Sequence, residues 1–313
     1  MAKICYNIAF DKRHKGQILA RRDISVDSKH FSLSYKIMDN KSDSWVLFLH
    51  GWGATKELME SAFGTRFKSL NHLYVDLPGF GGSDNDFVLN TELYARIMQK
   101  FLTSLKITPQ VIIAHSFGGK VATLLALDSL DSSNDSTDSP KNTQDSLTNS
   151  IDSPIDSSDS SKDSSKDSPN PPHLVLLSSA GLLKKQSVKV RLKIKFAKIA
   201  RIFHLKAKFL ISADAKGLSQ NMYDTFKIVV REDFSERFAL LGANQSKNTI
   251  KNPPKTLIFW GKDDEAVPLY LGTKMHSLIK DSAFFALKGD HFFFLDAQNA
   301  EFIESTTIKT LGL

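Results

Sequence analysis

Cysteine is nearly absent: Cys5 is the one thiol in 313 residues. That excludes an internal disulfide framework and any multi-cysteine metal cluster. Long apolar runs are missing too, and none approaches the ~18 residues of a transmembrane span. The opening stretch MAKICYNIAFDKRHKGQ lacks an apolar segment followed by a cleavage site, so a reduced, cytoplasmic setting is expected. Acid is in short supply, with 34 Asp and Glu against 41 Lys and Arg, a net charge of +7. Aromatic residues are plentiful: 3 Trp, 6 Tyr and 22 Phe exclude a largely disordered chain. Against ~100–200 residues for a usual domain, the length permits one large α/β domain or two smaller ones.

The charge is unevenly spread. Residues 131–172 hold nine Asp, each followed by Ser, and three Lys, a local charge of −6, so the other 271 residues carry +13. Leu147, Ile151 and Ile155 are the only large aliphatics of that tract. It cannot bury enough apolar area to offset its ordering entropy. We read it as a disordered, low-complexity surface insertion, tolerated because loop-closure entropy grows slowly with length.

Elsewhere short apolar runs alternate with helix-like stretches. Strands are expected at Gln17–Val26, Phe31–Met38, Trp45–His50, His72–Asp76, Gln110–His115, His173–Ser179, Lys255–Trp260 and Ala283–Leu287. Runs such as WVLFL, VIIA, LVLL and TLIFW are continuous rather than alternating, which suits strands covered by helices on both faces of a parallel sheet. Thr91 is the expected N-cap of a helix whose face is Leu93, Ile97, Phe101, Leu102 and Leu105. Segments 116–128, 268–280 and 296–311 read as further helices. Strand–helix alternation after two opening strands predicts a mostly parallel, doubly wound α/β sheet. One stretch breaks the alternation: Lys184 to Lys208 holds ten Lys or Arg and no acid. Residues 188–196 alternate as a strand would, but Leu192, Phe196, Ile199 and Phe203 also form a helical stripe, and a helix is the preferred reading.

The strongest chemical signal is VIIAHSFGGKVATLLAL, residues 111–127. A buried strand runs into Ser116 and two glycines, then a helix begins. A nucleophile elbow requires this, because the sharp turn exposes the hydroxyl and needs small residues two places to either side, here Ala114 and Gly118. The N–H of Phe117, at the helix start, would face a developing oxyanion. Gly119-Lys120 is not a phosphate-binding loop, since Val121 follows where Ser or Thr is required. In FLHGWGATK, residues 48–56, Trp52 would supply a second oxyanion N–H, and His50 reads as a loop-fixing residue rather than a base. The glycine-rich VDLPGFGGSD, 75–84, reads as structural. Late in the chain, IFWGKDDEAVP and ALKGDHFFFLD place Asp263, Asp264 and His291 just beyond two strands. Singly these are an incidental serine, a solvated acidic turn and a surface histidine. Three such residues at three strand ends, in the order serine, acid, histidine, argue for one triad.

Together, HGWG, DLPGFGGS, AHSFGG, W-G-x-x-D-x-x-V-P and G-D-H-F resemble the motifs of the α/β-hydrolase superfamily over residues 17–130 and 173–313. The resemblance assigns Ser116, Asp264 and His291 as the triad. It implies an eight-stranded sheet with strand two antiparallel, a helical lid over 181–253 after the sixth strand, and the Asp-Ser tract at the sheet end away from the site. Within the superfamily the chain is similar to 2-hydroxy-6-oxo-dienoate hydrolases, although His115 stands where those have Asn and Phe292 where they often have Trp. A serine nucleophile separates it from haloalkane dehalogenases and epoxide hydrolases. The expected activity is therefore cofactor- and metal-independent hydrolysis of a small carbonyl substrate, a carboxylic ester or a dienoate carbon–carbon bond. The alternative is a binding protein on a hydrolase scaffold. For the basic stretch, a cationic face over a buried stripe ranks first, attraction of an anionic substrate second and membrane contact third. Nucleic acid is set aside because no recognition motif accompanies the charge.

Overall fold

Continuous apolar runs become central strands when both sheet faces are covered, and that is where they lie. The computed structural model describes residues 17–134, 171–183, 219–245 and 254–313. Eight strands form one sheet: β1 (Gln17–Val26), β2 (Lys29–Met38), β3 (Trp45–Leu49), β4 (Asn71–Val75), β5 (Val111–His115), β6 (His173–Leu177), β7 (Thr256–Gly261) and β8 (Ala283–Leu287). Their order is β1-β2-β4-β3-β5-β6-β7-β8. β2 is antiparallel to both β1 and β4, and every later pair is parallel. The expected eight-stranded, mostly parallel sheet with an antiparallel second strand is the one observed.

Seven α-helices surround it among the described residues: α1 (Lys56–Phe63), α2 (Thr91–Leu105), α3 (Phe117–Asn134), α4 (Gln220–Val229), α5 (Ser235–Gln245), α6 (Leu269–Leu278) and α7 (Ala297–Leu311). Successive strand residues go to opposite faces. Leu47, Leu49, Ile112, Ala114 and Ile258 join a core with α2, α3 and α6. Val46, Phe48, Val111, Ile113 and Phe259 join a second core with α1 and α7. No helix among the described residues is long and apolar enough to cross a membrane.

Most element ends fall within one or two residues of expectation, and two differences have a clear physical reason. Asn90, not Thr91, caps α2: its side chain accepts from the Leu93 N–H at 2.9 Å. Either type can cap, but Thr91 already lies inside the helix, where its N–H and hydroxyl both donate to Glu232. Helix α3 runs to Asn134, into the segment assigned to the Asp-Ser insertion, because Leu127 and Leu130 still pack in the core. The rest of that insertion, and the basic stretch from Lys184 to Lys208, lie outside the described residues.

Helices α4 and α5 are tied to the sheet domain at the bend between them. Lys120, in the first turn of α3, is almost fully buried; its Nζ donates to the Val229 carbonyl at 2.7 Å and to Glu232 at 2.5 Å. The same ammonium lies 4.4 Å from the Phe234 ring centre. Burial holds the Lys120 pKa down to about 8, with Glu232 opposing the fall. The partners are unequal, since the Glu232 side chain keeps 23% of its surface in water and also holds Thr91. Glu232→Gln should therefore cost about 1–2 kcal/mol in urea unfolding at pH 7, because the buried Lys120 loses the partner of its charge and sheds its proton. Lys120→Met should be nearly neutral, because Glu232 stays hydrated and hydrogen-bonded. Equal losses would contradict this assignment. As a base with a lowered native pKa, Lys120 should also make stability rise between about pH 8 and 10.5, where the unfolded chain still binds its proton.

Candidate active site

The loops at the carboxyl ends of β3, β5, β7 and β8 carry the singled-out residues. Ser116 follows β5 directly and has φ 51, a left-handed conformation uncommon outside glycine. The strain is held by the backbone around it. Its N–H donates to the Leu177 carbonyl, and its carbonyl accepts from the Gly119 and Ala180 N–H groups, all at 3.0–3.1 Å. Gly118 is required by close approach: a Cβ there would lie 2.6 Å from the His50 carbonyl oxygen and 2.8 Å from that of Leu49. This turn leaves Ser116 half-buried at the start of α3.

The loop after β3 faces it. His50 is fully buried; its Nδ1–H donates to the Gly51 carbonyl at 2.8 Å and its Nε2 accepts from the Leu77 N–H at 2.9 Å. Those partners fix one neutral tautomer, and burial lowers the His50 pKa. His50 therefore ties the β3 loop to the β4 loop, the role expected of it, and neither nitrogen is free to act as a base. The glycine-rich turn is structural as well. Asp76 accepts from the Lys56 N–H and Nζ, both at 2.7 Å, and from the Gly82 N–H at 2.9 Å. Trp52 packs its ring on Phe80, Phe117 and Phe226 of α4, with centres 4.9–5.5 Å apart. Among the described residues the Trp52 N–H has no protein acceptor. The Phe117 N–H belongs to the first turn of α3, which has no intrahelical partner.

The acid and the histidine meet. His291 Nδ1 lies 2.7 Å from Asp264 Oδ2, and the second carboxylate oxygen accepts from the Val267 N–H at 2.8 Å. The Asp264 side chain is shut off from solvent, while that of His291 keeps 12% of its surface. Asp263 is exposed, so Asp264 is the member of the pair turned toward His291. Among the described residues no hydrogen bond joins Ser116 to His291; His115, next to Ser116 in the chain, has its ring centre 4.5 Å from that of His291. This contact of His115 escapes a reading of VIIAH as one more buried strand, and no pattern in the sequence marks it.

A model of the alpha/beta hydrolase family matches residues 46–305. An 87-residue stretch is 37% identical to 2-succinyl-6-hydroxy-2,4-cyclohexadiene-1-carboxylate synthase of Escherichia coli, covering 28% of this chain and 34% of that protein. The match thus spans about a third of that relative's length. An esterase from Exiguobacterium antarcticum is similar in structure, with TM-score 0.61 and 17% identity over 90% of this chain and 96% of its own. A hydrolase from Pseudomonas aeruginosa gives 0.60 and 12% over 94% and 98%. A serine hydrolase involved in carbazole degradation gives 0.59 and 16% over 94% and 99%. At these identities the likeness is one of fold.

Proposed function

The chain belongs to the alpha/beta hydrolase family, and from that membership we propose that it is a serine hydrolase with a Ser116–His291–Asp264 triad. The observation that carries this reading is the 2.7 Å His291–Asp264 pair beside a serine held in a left-handed turn. In the reading, His291 takes the Ser116 hydroxyl proton through Nε2 as Oγ attacks a carbonyl carbon. Asp264 stabilises the imidazolium and fixes its tautomer. The N–H groups of Trp52 and Phe117 hold the oxyanion. His291 then returns the proton to the leaving group, giving an acyl-Ser116 ester. A water deprotonated by His291 releases the acid and restores Ser116. The absent Ser116–His291 hydrogen bond fits this scheme, because such bonds are often long before substrate binds.

The substrate is a small carbonyl compound, a carboxylic ester or a 2-hydroxy-6-oxo-dienoate whose carbon–carbon bond is cleaved by the same residues after the substrate has ketonised, so that the electron pair leaves into an enol. A second reading, that it carries a carboxylate, is favoured by the match to a cyclohexadiene-carboxylate synthase and by the ten cations between Lys184 and Lys208. The test is steady-state turnover of graded-length 4-nitrophenyl esters and of a coloured ring-fission dienoate, at low and moderate salt. A neutral ester should change little with salt, whereas an anionic substrate steered by the basic stretch should slow as salt screens beyond ~8 Å. Absence of turnover across the panel by folded protein would favour a binding protein instead.

A further inference from the structure

His115 is the residue immediately before Ser116 and is almost wholly buried, with 1% of its surface exposed. Its Nε2 lies 3.0 Å from the main-chain oxygen of His291. A carbonyl only accepts, so Nε2 carries the proton and Nδ1 carries the lone pair. That lone pair is buried without a hydrogen-bond partner. It faces the loop after β3, since a Cβ on Gly51 would stand 2.9 Å from Nδ1 and 3.0 Å from the Ser116 Cβ. The ring packs on those of His291, Phe292 and Phe294, with centres 4.5–5.3 Å apart.

We propose that His115 is a positioning residue that sets His291 against Ser116, donating its Nε2–H to the His291 carbonyl. This rests on the triad reading above. Asp264 holds the His291 imidazole by one nitrogen, and the β8 loop is tied on either side of His291, at the Gly289 carbonyl by the Asp263 N–H and at the Phe293 carbonyl by the Asn299 amide. His115 adds the bond at His291 itself, and because it adjoins Ser116, one strand end sets both nucleophile and base. A misplacement of about 1 Å in such a pair can cost about 100-fold in rate. The strut works only as a neutral ring. A second proton would sit on Nδ1 facing Gly51, without an acceptor, and would add a cation beside the histidine that must itself become one. Burial, reinforced by the nearby His291, holds the His115 pKa well below its ordinary value and keeps the ring neutral.

Three full-length variants test this with a 4-nitrophenyl ester and a fluorophosphonate probe. His115→Phe keeps the ring and removes the donor. It should lower kcat about 10- to 100-fold with KM within about twofold, and slow labelling of Ser116 in parallel. His115→Gln, whose amide nitrogen reaches the Nε2 position, should recover most of kcat. His115→Asn, whose amide stops short, should not, and the Gln–Asn comparison decides the matter if the Phe variant fails to fold. Wild-type kcat in His115→Phe, or equal losses in Gln and Asn, would overturn the proposal. Wild-type protein that labels at Ser116 while the variants behave alike would sink this inference alone. Wild-type protein that never labels would sink the triad reading and this with it.

Discussion

Ser116→Ala is expected to lower kcat/KM for an ester substrate by about 10^4- to 10^6-fold, the scale of nucleophile removal in enzymes of this logic. The variant should stay folded. The left-handed turn is held by main-chain bonds from Leu177, Gly119 and Ala180, none of which uses the hydroxyl, and alanine is no bulkier than serine. The loss should appear in kcat with KM little changed, because attack is lost while the cleft is intact. Residual rate above background would come from the Trp52 and Phe117 N–H groups and from binding. A loss under tenfold in folded protein would remove Ser116 from the mechanism.

The second large effect separates two adjacent aspartates. Asp264→Asn should lower kcat about 10^3- to 10^4-fold, whereas Asp263→Asn should change it less than about twofold. Asp264 uses both oxygens, one accepting from the Val267 N–H and one from His291 Nδ1–H. An amide has one acceptor. If its oxygen keeps Val267, its NH2 must face His291, which then presents a lone pair at Nδ1 and a proton at Nε2. That tautomer cannot take a proton from Ser116. Asp263 is exposed, and its main-chain N–H bond to the Gly289 carbonyl does not depend on the carboxylate. Steady-state kinetics of the two variants, with far-ultraviolet circular dichroism as a check on folding, measures the difference. Similar losses in both would contradict the assignment.

Much of the fold and of the site is legible in the sequence because the informative residues obey short-range rules. WVLFL and VIIAH are continuous because both faces of β3 and β5 are covered, and the elbow announces itself by small residues around Ser116. Aspartate and histidine were legible as loop residues after strands, and W-G-x-x-D resembled an acid loop closely enough to prefer Asp264. Illegible were contacts between residues far apart in the chain. Lys120 reads as a failed phosphate loop, but its partners Val229 and Glu232 lie more than 100 positions away. His115 reads as the last residue of a buried strand, while its partner is 176 positions on. The Asn90 cap is hidden for a smaller reason, since two good cap types stand side by side and only the side-chain reach to Leu93 separates them.

Mass spectrometry of protein treated with a fluorophosphonate asks whether Ser116 is a nucleophile activated by His291. One adduct per chain is expected, on the peptide containing Ser116, and it should disappear in both Ser116→Ala and His291→Ala. An unlabelled but folded wild-type protein, an adduct on another residue, or labelling that survives His291→Ala would contradict it.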